Sequence, residues 1–198
     1  MRPEQIINFI QVIESFKTCE RTCRTTGKNR FESDAEHSWH LALFLMLIES
    51  DFKNVDSLKL LKLALIHDLP EIYAGDTNPY RDDTKNKEEN EANAAKKLFS
   101  NLATEDNLHF NSLFQEYIDQ NTTESKIVKS ADKLMPLIQN LCTNESHSSY
   151  REKQVTYQEA KNYMDEYFTS DDILKDFYEI LISRADTAGV FFDKKADT

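Results

Sequence analysis

At 198 residues the chain is long enough for one domain with a core of useful size. Only three Gly and four Pro are present, which disfavours the turn-rich punctuation of a β-sandwich or barrel, so an all-α fold is expected. A formal charge of -11 argues against the broad basic surface that a nucleic-acid polymer needs, while a single small phosphate remains compatible with it.

In chain order, the first helix is expected from Pro3 to about Phe16, carried by Ile6, Ile7, Phe9, Ile10 and Ile13. It ends before a basic stretch, in which Lys17, Arg21, Arg24, Lys28 and Arg30 face one acid, Glu20. Ser33 and Glu36 form a capping-box pattern, and the run from Trp39 to Ile48 is apolar on most faces, which reads as a central, buried helix with Trp39 in its packing. Asp56 or Ser57 caps a third helix that Pro70 should end or kink, leaving His67 and Asp68 at a helix end. A polar connection from Asp76 to Asp83 leads to charged helices over about Thr84–Leu102 and Asp106–Ile118, which look peripheral. A further helix starts at Thr122 or Thr123 and places Asp132 between apolar positions. Helices over about Tyr150–Tyr167 and Asp171–Gly189 complete the chain, with Phe191-Phe192 docking on the body before a charged tail.

The longest apolar run, Leu41–Ile48, is too short to span a bilayer, and three cysteines without a signal-like opening suggest a cytoplasmic protein with no membrane partner. Cys19 and Cys23 stand four apart, yet no second pair at matching spacing turns them into a zinc site.

The chemistry gathers in His37, the adjacent His67-Asp68, and Asp132. Two imidazoles and two carboxylates form a ligand set for one divalent ion, and no local loop can gather residues so far apart in sequence, so the fold must. Four protein donors leave positions for water and a substrate oxygen on an octahedral ion, which points to hydrolysis. Glu71, four residues after His67, shares its face if the helix survives Pro70, and is the candidate acid-base carboxylate. Asp76 and Thr77, just past Gly75, either contact ligand or serve as turn formers. Arg21 is the first choice for a phosphate contact, although a run of charges is more often a solvated face. His40, His109 and His147 lack a matching partner pattern and read as ordinary histidines, while Tyr163, Tyr167, Phe168, Phe177 and Tyr178 read as core or dimer contacts.

Taken together, Glu32-Ser-Asp-Ala-Glu-His37-Ser-Trp, Leu65-Ile-His67-Asp68-Leu-Pro-Glu71-Ile-Tyr-Ala-Gly75-Asp76 and Lys129-Ser-Ala-Asp132-Lys resemble the H…HD…D signature of the HD-domain metal-dependent phosphohydrolases. The likeness runs from about Phe16 to Leu141 and is nearest to the branch of bacterial 5'-deoxynucleotidases and their eukaryotic relatives. It implies one HD domain over residues 1–198, built as a helical bundle that usually dimerises. It also implies one divalent metal ion (Co, Mn, Mg, Zn, Fe or Ni) on His37, His67, Asp68 and Asp132, with Glu71 as acid-base and Asp76 contacting substrate or water. The implied reaction is removal of the 5'-phosphate from a (deoxy)ribonucleoside monophosphate. That branch carries an Arg-Trp pair before its first His, whereas here Arg21 and Arg24 are the nearest candidates and no Trp accompanies them. Hydrolysis of another small phosphate ester, or a non-catalytic nucleotide-sensing module that keeps the metal as structure, are the competing expectations.

Overall fold

The computed structural model describes residues 1–26, 30–81, 85–143, 148–169 and 171–193. Lys28, His147 and the expected helix start at Thr84 lie outside them. The chain is mostly helical, as its composition requires, and divides into two compact units. One comprises Met1–Glu20 and Ser33–Val128; the other comprises Arg21–Glu32 and Lys129–Thr198. Among the described residues no helix is long and apolar enough to cross a membrane.

The first unit contains α1 (Arg2–Ile13), α2 (Asp34–Ile48), α3 (Ser57–Ile66), α4 (Glu71–Ala74), α5 (Lys87–Phe99), α6 (Thr104–Asp119) and the start of α7 (Thr123–Cys142). The capping box at α2 is present: Ser33 Oγ accepts from the Glu36 N–H at 3.2 Å, and the Glu36 carboxylate accepts from the Ser33 N–H at 3.0 Å. Glu36 is thereby used as a cap. Asp56, not Ser57, caps α3, its Oδ1 accepting from the Lys59 N–H at 3.0 Å.

Helix α2 is not buried all round. Leu41, Leu45 and Ile48 fall on a covered stripe, while the opposite stripe exposes Leu43, Met46, Leu47 (74%) and Trp39 (63%). Trp39 is therefore not the packing residue expected from sequence; it lies stacked on His40, ring centroids 6.0 Å apart. A run apolar on every face signals burial only when neighbours cover every face, and here they cover one.

The expectation that the charged helices are peripheral also fails. Helix α5 buries Ala94, Ala95, Leu98 and Phe99, and α6 buries Leu113, Phe114 and Tyr117. Phe99 meets Phe9 of α1 at 6.4 Å and Phe110 and Phe114 of α6 at 5.5 and 6.4 Å between centroids, giving this unit an aromatic core. Their charged residues dilute the composition, but the apolar strip keeps helical spacing.

The starts of α3 and α7 are joined by Glu124, whose Oε1 accepts from the Asp56 N–H at 3.0 Å and whose Oε2 lies 2.8 Å from Lys59 Nζ. Burial pushes this carboxyl up, but the Asp56 N–H and the Lys59 ammonium outweigh it and hold it below its ordinary value. A depressed carboxyl contributes stability above its unfolded pKa and loses it as pH falls through the folded one. Glu124→Gln is thus expected to cost about 1–2 kcal/mol at neutral pH and less in acid, in denaturant unfolding at both pH values. An equal cost at both would assign the loss to packing.

The second unit holds a two-stranded ribbon of β1 (Glu20–Arg24) and β2 (Phe31–Ser33), the greater part of α7, α8 (Ser149–Glu152), α9 (Tyr157–Met164) and α10 (Asp172–Thr187). The ribbon falls in the basic stretch, where no strand was expected. The single helix expected over Tyr150–Tyr167 is broken, since Gln154 takes φ 55° and Thr156 restarts the chain with its own capping box to Glu159. Thr156-x-x-Glu159 is the sequence signal for that break. Phe191 docks as expected, with Tyr150 and Tyr157 at 5.1 and 5.6 Å between centroids, and Phe168 and Tyr178 stack at 4.4 Å. Cys23, Ser149 and Asn140 form a buried polar group here. Burial pushes the thiols of both Cys19 and Cys23 up to about 11, so they behave as small inert residues.

Candidate metal centre

Within the first unit, His37, His67 and Asp68 each turn one donor atom to within 4.8 Å of the others. His37 lies one turn into α2, on the stripe that continues to Leu41 and Leu45. His67 is the C-cap of α3, where its Nδ1 lies 2.8 Å from the Ala64 carbonyl oxygen. A carbonyl only accepts, so the neutral ring carries its proton on Nδ1 and presents Nε2 as a lone pair, the orientation a metal-binding imidazole needs. Asp68 Oδ2 is 3.0 Å from His67 Nε2 and 3.8 Å from His37 Nε2. Tyr117 of α6 packs edge-on against the His67 ring at 5.3 Å, walling that side with apolar surface. Two imidazole nitrogens from buried histidines and a carboxylate oxygen, convergent, fit a divalent ion.

The helix does not survive Pro70. From Ile66 to Tyr73 the backbone bonds are of the i to i+3 kind, including Glu71 N–H to Asp68 O at 2.9 Å. In a spiral of three residues per turn, side chains at i and i+3 eclipse, so Glu71 shares a side with Asp68 rather than with His67 as the four-residue spacing suggested. Helix α4 then closes at Gly75, whose φ of 78° is the reason for glycine; a Cβ there would meet nothing within 4 Å.

Asp34, which sequence reasoning passed over, joins this site. One carboxylate oxygen each from Asp34, Asp68 and Glu71 lies within 4.8 Å of the others, with Asp34 fully buried and Glu71 4% exposed. Three residues before His37 on the same helix, Asp34 shares its face, and that spacing is the signal that could have found it. At an effective dielectric of about 20, each pair of such charges costs roughly 3 kcal/mol, which a cation relieves. Lys87, the first residue of α5, places its Nζ 3.9 Å from Glu71 Oε1 and 3.1 Å from Glu91 Oε1.

Asp76 and Thr77 are half-buried in the segment after Gly75, and Asp76 belongs to neither group of donors among the described residues. Arg21, Arg24 and Asp132 belong to the second unit. Arg24 donates from Nε to Glu152 at 2.8 Å and lies 4.4 Å over the Phe31 ring, and Lys17, in the first unit, pairs with Glu14 at 2.8 Å. Asp132 is 6% exposed on α7, with Lys133 Nζ 2.8 Å from its Oδ2. Burial pulls the Lys133 ammonium down, but Asp132 more than offsets this and keeps it charged. Pro136 stands four residues after Asp132 and has no N–H to offer its carbonyl.

Paired imidazoles and a carboxylate on helical elements, with further buried acids at their side, define a helical protein that can hold a divalent ion. The profile of the HD domain family matches residues 13–171, and the chain belongs to that family. It is 33% identical over 141 residues to 5'-deoxynucleotidase HDDC2 of Dictyostelium discoideum, covering 67% of this chain and 74% of that one. Against the human protein of the same name it is 29% identical, over 68% of this chain and 66% of the other. Among solved structures it is similar to a predicted metal-dependent phosphohydrolase from Magnetospirillum magnetotacticum, with TM-score 0.85, 28% identity and 97% and 99% of the two chains covered.

Proposed function

We propose that this chain is a metal-dependent phosphohydrolase that removes the 5'-phosphate from (deoxy)ribonucleoside monophosphates. The observation that carries the reading is the convergence of His37, His67 and Asp68, with Glu71 held beside Asp68 by the turn at Pro70. The names of its relatives in Dictyostelium and human support the substrate class. Asp132 is assigned as a fourth donor on the strength of its burial and its place in the H…HD…D order, and the family match across residues 13–171 supports treating residues 1–198 as one working HD domain.

A divalent ion, when bound, supplies Lewis acidity toward a phosphoryl oxygen and toward water. The residues of the chain do the rest. His67, fixed by Ala64, presents its Nε2, and His37 presents its ring beside it. Glu71 takes the proton of the attacking water on its carboxylate and returns it to the 5' oxygen as the P–O bond breaks, leaving nucleoside and inorganic phosphate. Asp76 and Thr77 are assigned to substrate hydroxyls, and Arg21 and Arg24 to the phosphate, Arg21 first.

The exposed stripe of Trp39, Leu43, Met46 and Leu47 supports a homodimer, for which sedimentation at micromolar concentration should give twice the chain mass. Three free thiols suit a reducing compartment, and we place the protein in the cytoplasm. The function is tested by phosphate release from a panel of nucleoside monophosphates with Mn, Co or Mg added. Turnover should favour monophosphates over di- and triphosphates. Turnover confined to other phosphate esters would replace the substrate, and none with any metal in protein carrying the ion would remove the reading.

A further inference from the structure

Glu71 is nearly as buried as the protein core, and it shares its surroundings with two more carboxylates, Asp34 and Asp68. A carboxylate so placed turns away from its neighbours unless an opposite charge fixes it. Lys87 provides that charge from another helix. Its Nζ is gripped by Glu91 one turn along α5 at 3.1 Å, and the same ammonium lies 3.9 Å from Glu71 Oε1. Burial pulls the Lys87 ammonium down, but the charges of Glu91 and Glu71 more than offset this, so it remains a cation. Glu91 is itself mostly covered, so it anchors the lysine stem instead of waving in solvent.

We propose that Lys87, anchored by Glu91, is a positioning residue that holds the Glu71 carboxylate in its working orientation. This rests on the assignment of Glu71 above and extends it to a pair of residues on α5 to which nothing has yet given a role. Lys87 acts through Glu71 and is not required to touch substrate. The arrangement differs from an ordinary surface pair in helix α5, whose partners would be free to separate without consequence. Here one partner, Glu71, lies beside two further acids, Asp34 and Asp68, so the orientation of its carboxylate depends on the charges around it.

The test is a set of variants in the full chain, Lys87→Gln, Lys87→Arg, Glu91→Gln and Glu71→Gln, with the Lys87→Gln/Glu71→Gln double. Lys87→Gln should lower kcat about 10-fold or more with KM little changed, Lys87→Arg should recover most of it, and Glu91→Gln should give a smaller loss of the same kind. In the Glu71→Gln background Lys87→Gln should lower kcat no further. A rise in KM with kcat intact would make Lys87 a substrate contact and overturn the proposal, as would full kcat in Lys87→Gln. Thermal unfolding of the metal-free proteins gives an independent reading. Lys87→Gln should lower Tm clearly in the Glu71 protein and less in the Glu71→Gln protein; additive shifts would overturn the coupling. If the unaltered protein turns over no phosphate ester, the functional assignment fails by itself, and the unfolding cycle still decides between a coupled and an uncoupled Lys87–Glu71 pair.

Discussion

Asp68→Ala is expected to abolish both metal retention and phosphate release while leaving the fold intact. Asp68 is the one residue common to both groups of donors: it faces His37 and His67 on one side and Asp34 and Glu71 on the other. Removing it takes the anionic donor from between two imidazoles, and turnover should fall at least about 10³-fold, near 4 kcal/mol of transition-state stabilisation. The same change removes one of three crowded acids, so the metal-free variant should unfold at the same temperature as the unaltered protein or higher. Added metal should then raise Tm of the unaltered protein, by about 2.7 kcal/mol of stability at a hundred times Kd, and leave that of the variant in place. A variant that keeps its metal and its rate would show that the imidazole pair serves another purpose.

Glu71→Gln should separate chemistry from metal binding. Gln keeps the shape of the side chain and removes its capacity to accept a proton as an acid-base carboxylate. The expected loss is about 10²–10⁴-fold in kcat with metal content unchanged, the range for a positioned general acid-base group. Relief of repulsion with Asp34 and Asp68 offsets loss of the Lys87 pair, so the metal-free protein should change little in stability. Loss of metal together with rate would place Glu71 among the ligands, and an unchanged rate would remove it from the reaction. Measuring kcat and metal content on one preparation decides among these outcomes.

Much of this was legible in the sequence, for identifiable reasons. The Ser33–Glu36 box, the cap of α3 narrowed to Asp56 or Ser57, and the break at Pro70 are local signals read from a few adjacent residues. The convergence of His37, His67 and Asp68 was legible because a pattern of types and order carries more information than any member alone. Asp34 was missed because an acid just inside a helix start has a sufficient local explanation in the helix dipole, and only the fold shows that it is fully buried beside Asp68 and Glu71. Tyr117 and Lys87 were missed because they come from helices whose composition looks like surface, and what they touch depends on which stripe the fold covers. The exposed side of α2 illustrates the same limit, since Leu47 and Leu45 are alike in sequence and opposite in burial.

Everything rests on the buried imidazoles and acids around Asp68 acting as a seat for one divalent ion. Elemental analysis of the purified chain after dialysis against each of Mn, Co, Zn and Mg, followed by removal of loose ions, measures this directly. The account predicts close to one tightly held ion per chain for at least one of these metals, and its loss on protonating the imidazoles at acid pH. Protein that stays folded and retains no ion from any of them would contradict it.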